Sequence, residues 1–242
     1  MRKDNIKKVC AIILCGGKGT RLGNVGKKIN KTLIKYKGHP LIYYIIKYLY
    51  KFKIDKIIIP YGYRGAQIKK YILKKFNSKK IFPFNAGVNT SIDKRIKKSI
   101  NLIEKEYDYV MILNGDSFYN FNLNKLFNSK ILKKKTLINL VCTKLPLKYG
   151  FIEKKNKKIN FIYRKKFFEY FLDSNGIKNF FYSGICVINK KFLEKNINKV
   201  KTNFEIELFN KASKINKLDY IYDNNSFFQI NYPKDLKSLK DD

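Results

Sequence analysis

The 242-residue chain has no tryptophan, one histidine, two methionines and five prolines, and its 18 acidic residues stand against 53 basic ones. These scarcities narrow the chemistry. His39 has no candidate partner residues near it and reads as a surface side chain, not a general base. The four cysteines, Cys10, Cys15, Cys142 and Cys186, form no C-x-x-C pair, and three lie in apolar strand-like runs. Reduced, buried thiols in a cytoplasmic protein are expected, not zinc ligands or a disulfide frame. No apolar run reaches the roughly 18 residues of a transmembrane helix, so no membrane partner is expected. The opening MRKDNIKKVC lacks the apolar segment of a signal peptide.

Arginine is scarce as well. Only Arg2, Arg21, Arg64, Arg95 and Arg164 contribute to a net charge of +35, and lysine supplies the rest. Such a charge normally signals a nucleic-acid partner. Readers of phosphates and bases favour the planar arginine fork, however, and here the lysines are scattered along the whole chain. Lysine, asparagine and isoleucine are inflated together, as A/T-rich codons would produce. A nucleic-acid partner is therefore not expected, and each surviving arginine gains interest. Hydrophobic residues make up 45% of the chain and aromatics 15%, enough for a true core. No repeat or linker is visible, and the length suits one domain.

Val9–Leu14, 56–60, 81–84 and 109–113 read as short apolar strands, separated by helical stretches at 41–52, 67–76 and 94–104. Unalternated apolar strands between helices indicate parallel strands covered on both faces. After about residue 136 strands dominate, at 137–143, 150–153, 160–163, 181–188, 220–223 and 227–230. A helix is expected over 204–213 and a last one from Pro233. The fold class is α/β: a Rossmann-like mixed, mainly parallel sheet with helices on both faces.

The segment ILCGGKGTRLG, residues 13–23, ends the first strand in a glycine-rich loop. Ligands of open parallel sheets bind at the carboxyl ends of the strands, and glycines let backbone N–H groups approach phosphate oxygens. The loop is no Walker A motif, because Lys18 is followed by Gly19, and no dinucleotide fingerprint, because Leu22 stands where its last glycine belongs. It is a phosphate loop of another kind or a tight turn. GGKGTRL at 16–22, Asn30-Lys31 and GHPLI at 38–42 together resemble the signature of the sugar-phosphate nucleotidylyltransferases. YGYRG (61–65), LNGDSFYNFNL (113–123), YSGICVI (182–188), FEIEL (204–208) and FFQINYPKDL (227–236) resemble that family's later segments, in order.

The resemblance implies a nucleotide-diphospho-sugar transferase fold in a single domain, 1–242. Residues 1–135 would form its nucleotide-binding half and 136–242 its sugar-phosphate half. Because the chain ends soon after the expected last helix, no C-terminal repeat domain is expected. The implied reaction is attack of a sugar 1-phosphate on the α-phosphorus of a nucleoside triphosphate, with pyrophosphate leaving. Arg21 and Lys31 would carry catalysis. Leu14, Gly16, Gly17, Gly19, Thr20, Thr90, Arg95 and Gly115 would contact the nucleotide. Arg164, Gly184 and Glu205 would receive the sugar phosphate. The cofactor would be Mg²⁺, held by Asp116. The resemblance leaves room for a homo-oligomer.

The base stays open. NAGVNTSIDKRIKKS, residues 85–99, resembles glucose-1-phosphate cytidylyltransferases, whereas RLGNVGKKINKTL and LNGDSF resemble heptose-1-phosphate guanylyltransferases. CTP and GTP are thus both favoured, with a phosphocholine-type cytidylyltransferase as a further alternative. Two departures stand out. The family's second metal carboxylate becomes an amide, Asn231 or Gln229 depending on alignment, which lowers the expected metal affinity and admits a non-catalytic nucleotide binder. Asn30 replaces the proline before Lys31, and a looser loop is expected.

Overall fold

The computed structural model describes residues 8–54, 56–76, 79–128, 136–143, 151–155, 158–162, 181–223 and 227–230. Arg164, Asn231 and the helix expected from Pro233 lie outside them.

The first strand, β1 (Val9–Leu14), lies inside a seven-stranded sheet. Then come α1 (Asn24–Lys28), the hairpin of β2 (Lys35–Tyr36) and β3 (His39–Pro40), and α2 (Leu41–Lys51). The chain continues through β4 (Ile57–Tyr61), α3 (Gly65–Phe76), β5 (Ile81–Asn85), α4 (Ile92–Ile100) and β6 (Tyr109–Asn114). Next are β7 (Ser117–Tyr119), α5 (Asn124–Asn128) and β8 (Ile138–Thr143), then an antiparallel hairpin of β9 (Phe151–Lys155) and β10 (Lys158–Ile162). The last elements are β11 (Phe181–Asn189), α6 (Lys190–Ile197), α7 (Phe204–Lys214), β12 (Leu218–Tyr222) and β13 (Phe227–Gln229).

The sheet order is β12-β8-β11-β6-β1-β4-β5. Strands β6, β1, β4 and β5 run parallel, β12 runs parallel to β8, and only β11 is antiparallel to its neighbours. The expected mixed, mainly parallel sheet is therefore present. Both faces are covered, which is why β1 reads as an unbroken apolar run. Ala11 and Ile13 pack with α2 and α3 residues such as Ile42, Ile45 and Ile68. Cys10 and Ile12 face the other way, with Ile96 of α4, Leu193 of α6 and Leu208 of α7. Each fully buried isoleucine contributes roughly 1.5–3 kcal/mol of transfer free energy. All four cysteines are free and buried, as expected. Among the described residues no helix is long and apolar enough to cross a membrane.

Chain order fixes where a ligand can sit. From β1 the chain moves outward to β4 and β5, then returns to place β6 on the other side of β1. The loops after β1 and β6 consequently part, and such a switch point opens a crevice at the strands' carboxyl ends.

Candidate active site

A cavity of about 570 Å³ fills that crevice, a size ordinary for a small-molecule site. The glycine loop forms one wall through Gly16, Gly17, Lys18 and Arg21, with Leu14 and Cys15 beneath it. Asn30, Lys31 and Thr32 close one end, Asn114 and Asp116 the β6 side, and residues 88–92 with Arg95 the side of β5. Among the described lining residues, four carry positive charge and Asp116 alone is acidic. An anion is the ligand such a wall attracts.

The loop's shape follows from its glycines. Gly19 has φ +63°, the left-handed region, where it introduces the short 3₁₀ turn Thr20–Leu22. That turn buries Leu22 in a small cluster with Ile34, Leu41 and Ile230 and leaves Arg21 exposed at the cavity rim. Gly19 and Thr20 themselves lie outside the lining, as do Gly115, Gly184 and Glu205. Gly115 is a packing residue: a Cβ there would lie 2.6 Å from Cys15 Sγ and 2.9 Å from Leu14 O. Gly184, at φ +85°, sits in the β11 irregularity against the Asn114 amide.

Lys31 and Asp116 meet directly, Nζ donating to Oδ2 at 2.5 Å. The other carboxylate oxygen accepts from Ser117 Oγ and from Gln229 Nε2, each at 3.3 Å. Gln229 is delivered by the β13–β7 pairing, which sets it opposite Ser117, while Ile230 N bonds Asp116 O at 3.1 Å. Of the two amides expected near the acidic residue, Gln229 is thus the one seen beside it. Among the described residues no group of three or more His, Cys, Asp or Glu side chains could hold a metal ion. One carboxylate with a neighbouring amide is a sparse donor set that fits Mg²⁺ only when phosphate oxygens supply most ligands.

The expected loosening at Asn30 does not occur. Asn30 is 2% exposed and caps the turn Lys31–Leu33, its Oδ1 accepting from Thr32 N at 3.0 Å and Thr32 Oγ1 at 2.9 Å. Its Nδ2 donates to Tyr63 O at 2.7 Å, and its own N–H to Gln67 Oε1 at 3.1 Å. Three side-chain bonds and one from the main chain, two of the four to distant residues, replace the stiffness of a proline ring.

Arg95, expected to contact the nucleotide, lines the cavity from the side of α4. It is 3% exposed, and its hydrogen bonds go to backbone carbonyls. Thr90, on the same side, donates its hydroxyl to Ala86 O at 2.6 Å. The Cys15 thiol beneath the loop is pushed far up from its ordinary pKa, by burial first and then by Asp116, so it is no nucleophile. His39 stacks on Tyr43, ring centroids 4.2 Å apart, away from the cavity lining. Glu205, at the start of α7, is half-buried, and burial raises its carboxyl pKa. Sequence reasoning gave no role to Asn114, Val88 and Ile92, which carry no charge, although all three lie in segments that resemble the family's.

Residues 10–228 match the family model described as nucleotidyl transferase. D-glycero-α-D-manno-heptose 1-phosphate guanylyltransferase of Campylobacter jejuni is 28% identical over 232 residues, covering 93% of this chain and 96% of that protein. A "Probable glucose-1-phosphate cytidylyltransferase" of Bacillus subtilis is 32% identical over 139 residues, 49% of this chain and 54% of that protein. The structure of HddC from Yersinia pseudotuberculosis, complexed with GMP-PN, superposes with a TM-score of 0.65 at 19% identity, over 96% of this chain and 97% of that one.

Proposed function

This chain belongs to the nucleotidyl transferase family and has the nucleotide-diphospho-sugar transferase fold, and from that premise we propose that it is a sugar-1-phosphate nucleotidylyltransferase with GTP as its favoured nucleotide. One observation carries the proposal: an exposed, basic glycine loop faces a Lys31–Asp116 pair across the switch-point crevice. Similarity to a guanylyltransferase along nearly the whole chain, against a cytidylyltransferase along half of it, favours guanine.

In the proposed reaction a sugar 1-phosphate oxygen attacks the α-phosphorus of the triphosphate. The new P–O bond forms as the bond to the α–β bridging oxygen breaks, and pyrophosphate carries that electron pair away. No protein nucleophile is needed. The chain's task is to align two anions and to balance charge as it moves to the leaving group. Backbone N–H groups of Gly16, Gly17, Gly19 and Thr20 receive phosphate oxygens, with Leu14 and Gly115 shaping the floor and Thr90 the side. Arg21, exposed at the rim, neutralises the departing pyrophosphate. Lys31 shares its ammonium between Asp116 and the reacting phosphates. Arg164, Gly184 and Glu205 are assigned to the sugar phosphate. Mg²⁺ would be held by Asp116, with Gln229 adjacent, and would supply charge neutralisation on the phosphates. The reaction is assigned to the cytoplasm, with no nucleic-acid or membrane partner.

The test is pyrophosphate release in Mg²⁺ with GTP, CTP, UTP, ATP and dTTP, each against a panel of sugar 1-phosphates and phosphocholine. Release with GTP and one sugar 1-phosphate is expected. Release with CTP alone would move the base assignment to cytosine. Silence across the panel with nucleotide binding intact would favour the non-catalytic binder, a reading motivated by the amide at Gln229.

A further inference from the structure

Arg95 lies on the inner face of α4, and its guanidinium reaches two loops at once. Nε donates to Thr90 O at 3.0 Å, and Nη2 to Gly87 O at 2.6 Å and Val88 O at 3.3 Å. All three carbonyls belong to the loop between β5 and α4. Nη2 also donates across the sheet edge to Gly16 O of the glycine loop, at 3.3 Å. Nη1 is buried without a hydrogen-bond partner. The slot admits no more: a Cβ at Gly16 would lie 2.0 Å from Cζ, and one at Gly62 would lie 2.6 Å from Nη2. Two glycines, at the ends of β1 and β4, therefore make room for one arginine.

The peptide plane converts these bonds into a statement about the cavity. In a trans peptide the carbonyl and the following N–H point in opposite directions. Carbonyls of residues 16, 87, 88 and 90 turned toward Arg95 leave the N–H groups of Gly17, Val88, Asn89 and Ser91 turned away from it. Those four residues all line the cavity. Successive N–H groups presented by a loop form an anion-receptive surface.

We propose that Arg95 is a positioning residue that ties the glycine loop to the 86–91 loop and orients their N–H groups toward the ligand without touching it. The role suits arginine because its planar fork can meet carbonyls from two loops, where a lysine ammonium is a compact point charge. The tie itself stands on the geometry above. Its effect on a nucleotide rests on the proposed reaction.

The test compares wild type with Arg95→Lys in two readouts. In amide ¹H–¹⁵N spectra without ligand, resonances of Gly16–Gly19 and of Gly87–Ser91 should shift and broaden together, while Leu218–Tyr222 at the far edge stay in place. In calorimetric titrations, GTP and GMP should each lose about tenfold or more in affinity, by similar factors, because the loops and not one phosphate are disturbed. A change confined to one loop, or a loss confined to GTP with GMP unaffected, would overturn the proposal; the second pattern marks a direct triphosphate ligand. Should Arg95→Lys fail to fold, Gly62→Ala, which leaves Arg95 in the chain and crowds its Nη2, must give the same paired response. Wild-type protein that binds neither nucleotide, yet shows the paired loop response on substitution, would support the tie and sink the proposed reaction instead.

Discussion

Asn30→Ala should destabilise the protein by about 2–4 kcal/mol, because it deletes three buried side-chain hydrogen bonds, each worth roughly 0.5–1.5 kcal/mol net and more where a partner is stranded. The bonds are those from Nδ2 to Tyr63 O and into Oδ1 from Thr32 N and Oγ1. Tyr63 O and Thr32 N then lose their partner at a position only 2% exposed. For a chain of this size the loss corresponds to a Tm lowered by roughly 5–15 °C. Urea unfolding at neutral pH measures it directly, as a lower midpoint with an unchanged slope. A companion variant, Asn30→Pro, separates the two contributions. Asn30 already has φ −64° and ψ 136°, and Ile29 has φ −134° and ψ 146°, the geometry a proline and its predecessor adopt. Asn30→Pro loses the same side-chain bonds and the N–H to Gln67, but restricts the unfolded chain, which offsets about 0.4–1 kcal/mol. It should therefore fall within about 1 kcal/mol of Asn30→Ala. A loss below about 1 kcal/mol for Asn30→Ala would refute the idea that this side chain, and not the local backbone, holds the lysine loop.

Lys31→Met removes the cation bonded to Asp116 in the cavity, and kcat/KM for pyrophosphate release should drop on the order of 10²–10³-fold, the scale of losing one group that stabilises developing charge; a drop below tenfold would exclude Lys31 from the reacting centre. Gln229→Asp restores a second carboxylate beside Asp116, so Mn²⁺ should bind the nucleotide complex more tightly when followed by electron paramagnetic resonance, and unchanged binding would remove Gln229 from the metal's surroundings. The Glu104 carboxyl is held below its ordinary pKa, chiefly by its hydrogen bond from Lys56 Nζ at 2.5 Å. A depressed folded pKa means stability that is present above the unfolded value of 4.5 and is lost as pH falls through the folded one. Glu104→Gln should flatten the acid limb of the unfolding midpoint against pH below about 4.5, and an unaltered limb would show that the pair contributes nothing.

Legibility in the sequence tracked the locality of the cause. Strands β1, β4 and β6 could be read to within a residue or two because burial on both faces leaves an unbroken apolar run. Helix α6 was missed because lysines and asparagines dilute its apolar face, although Asn189 caps it and Leu193 and Ile197 are buried. In the site, the glycine loop, Lys31 and Asp116 were marked by segments that resemble the family's signature. That Gln229 stands beside Asp116 needed strand register, which sets it opposite Ser117. Asn30 was misjudged because its partners Tyr63 and Gln67 lie more than thirty positions away. Arginine scarcity draws attention to Arg95, but its partners are main-chain carbonyls, which every residue possesses and no motif announces.

The same distinction explains why a net charge of +35 says so little about the partner. Most of the described lysines stand in water, where salt screens them beyond about 8–10 Å and their position along the chain matters little. The basic groups that can shape the site are those whose position something else determines: Lys31 by Asp116, and Arg95 by four carbonyls and two glycines. Arg21 completes the set from a turn pinned by buried Leu22. Lysine elsewhere can therefore vary with composition at little cost to the site, whereas a conservative exchange at Arg95 should be felt on both cavity walls together.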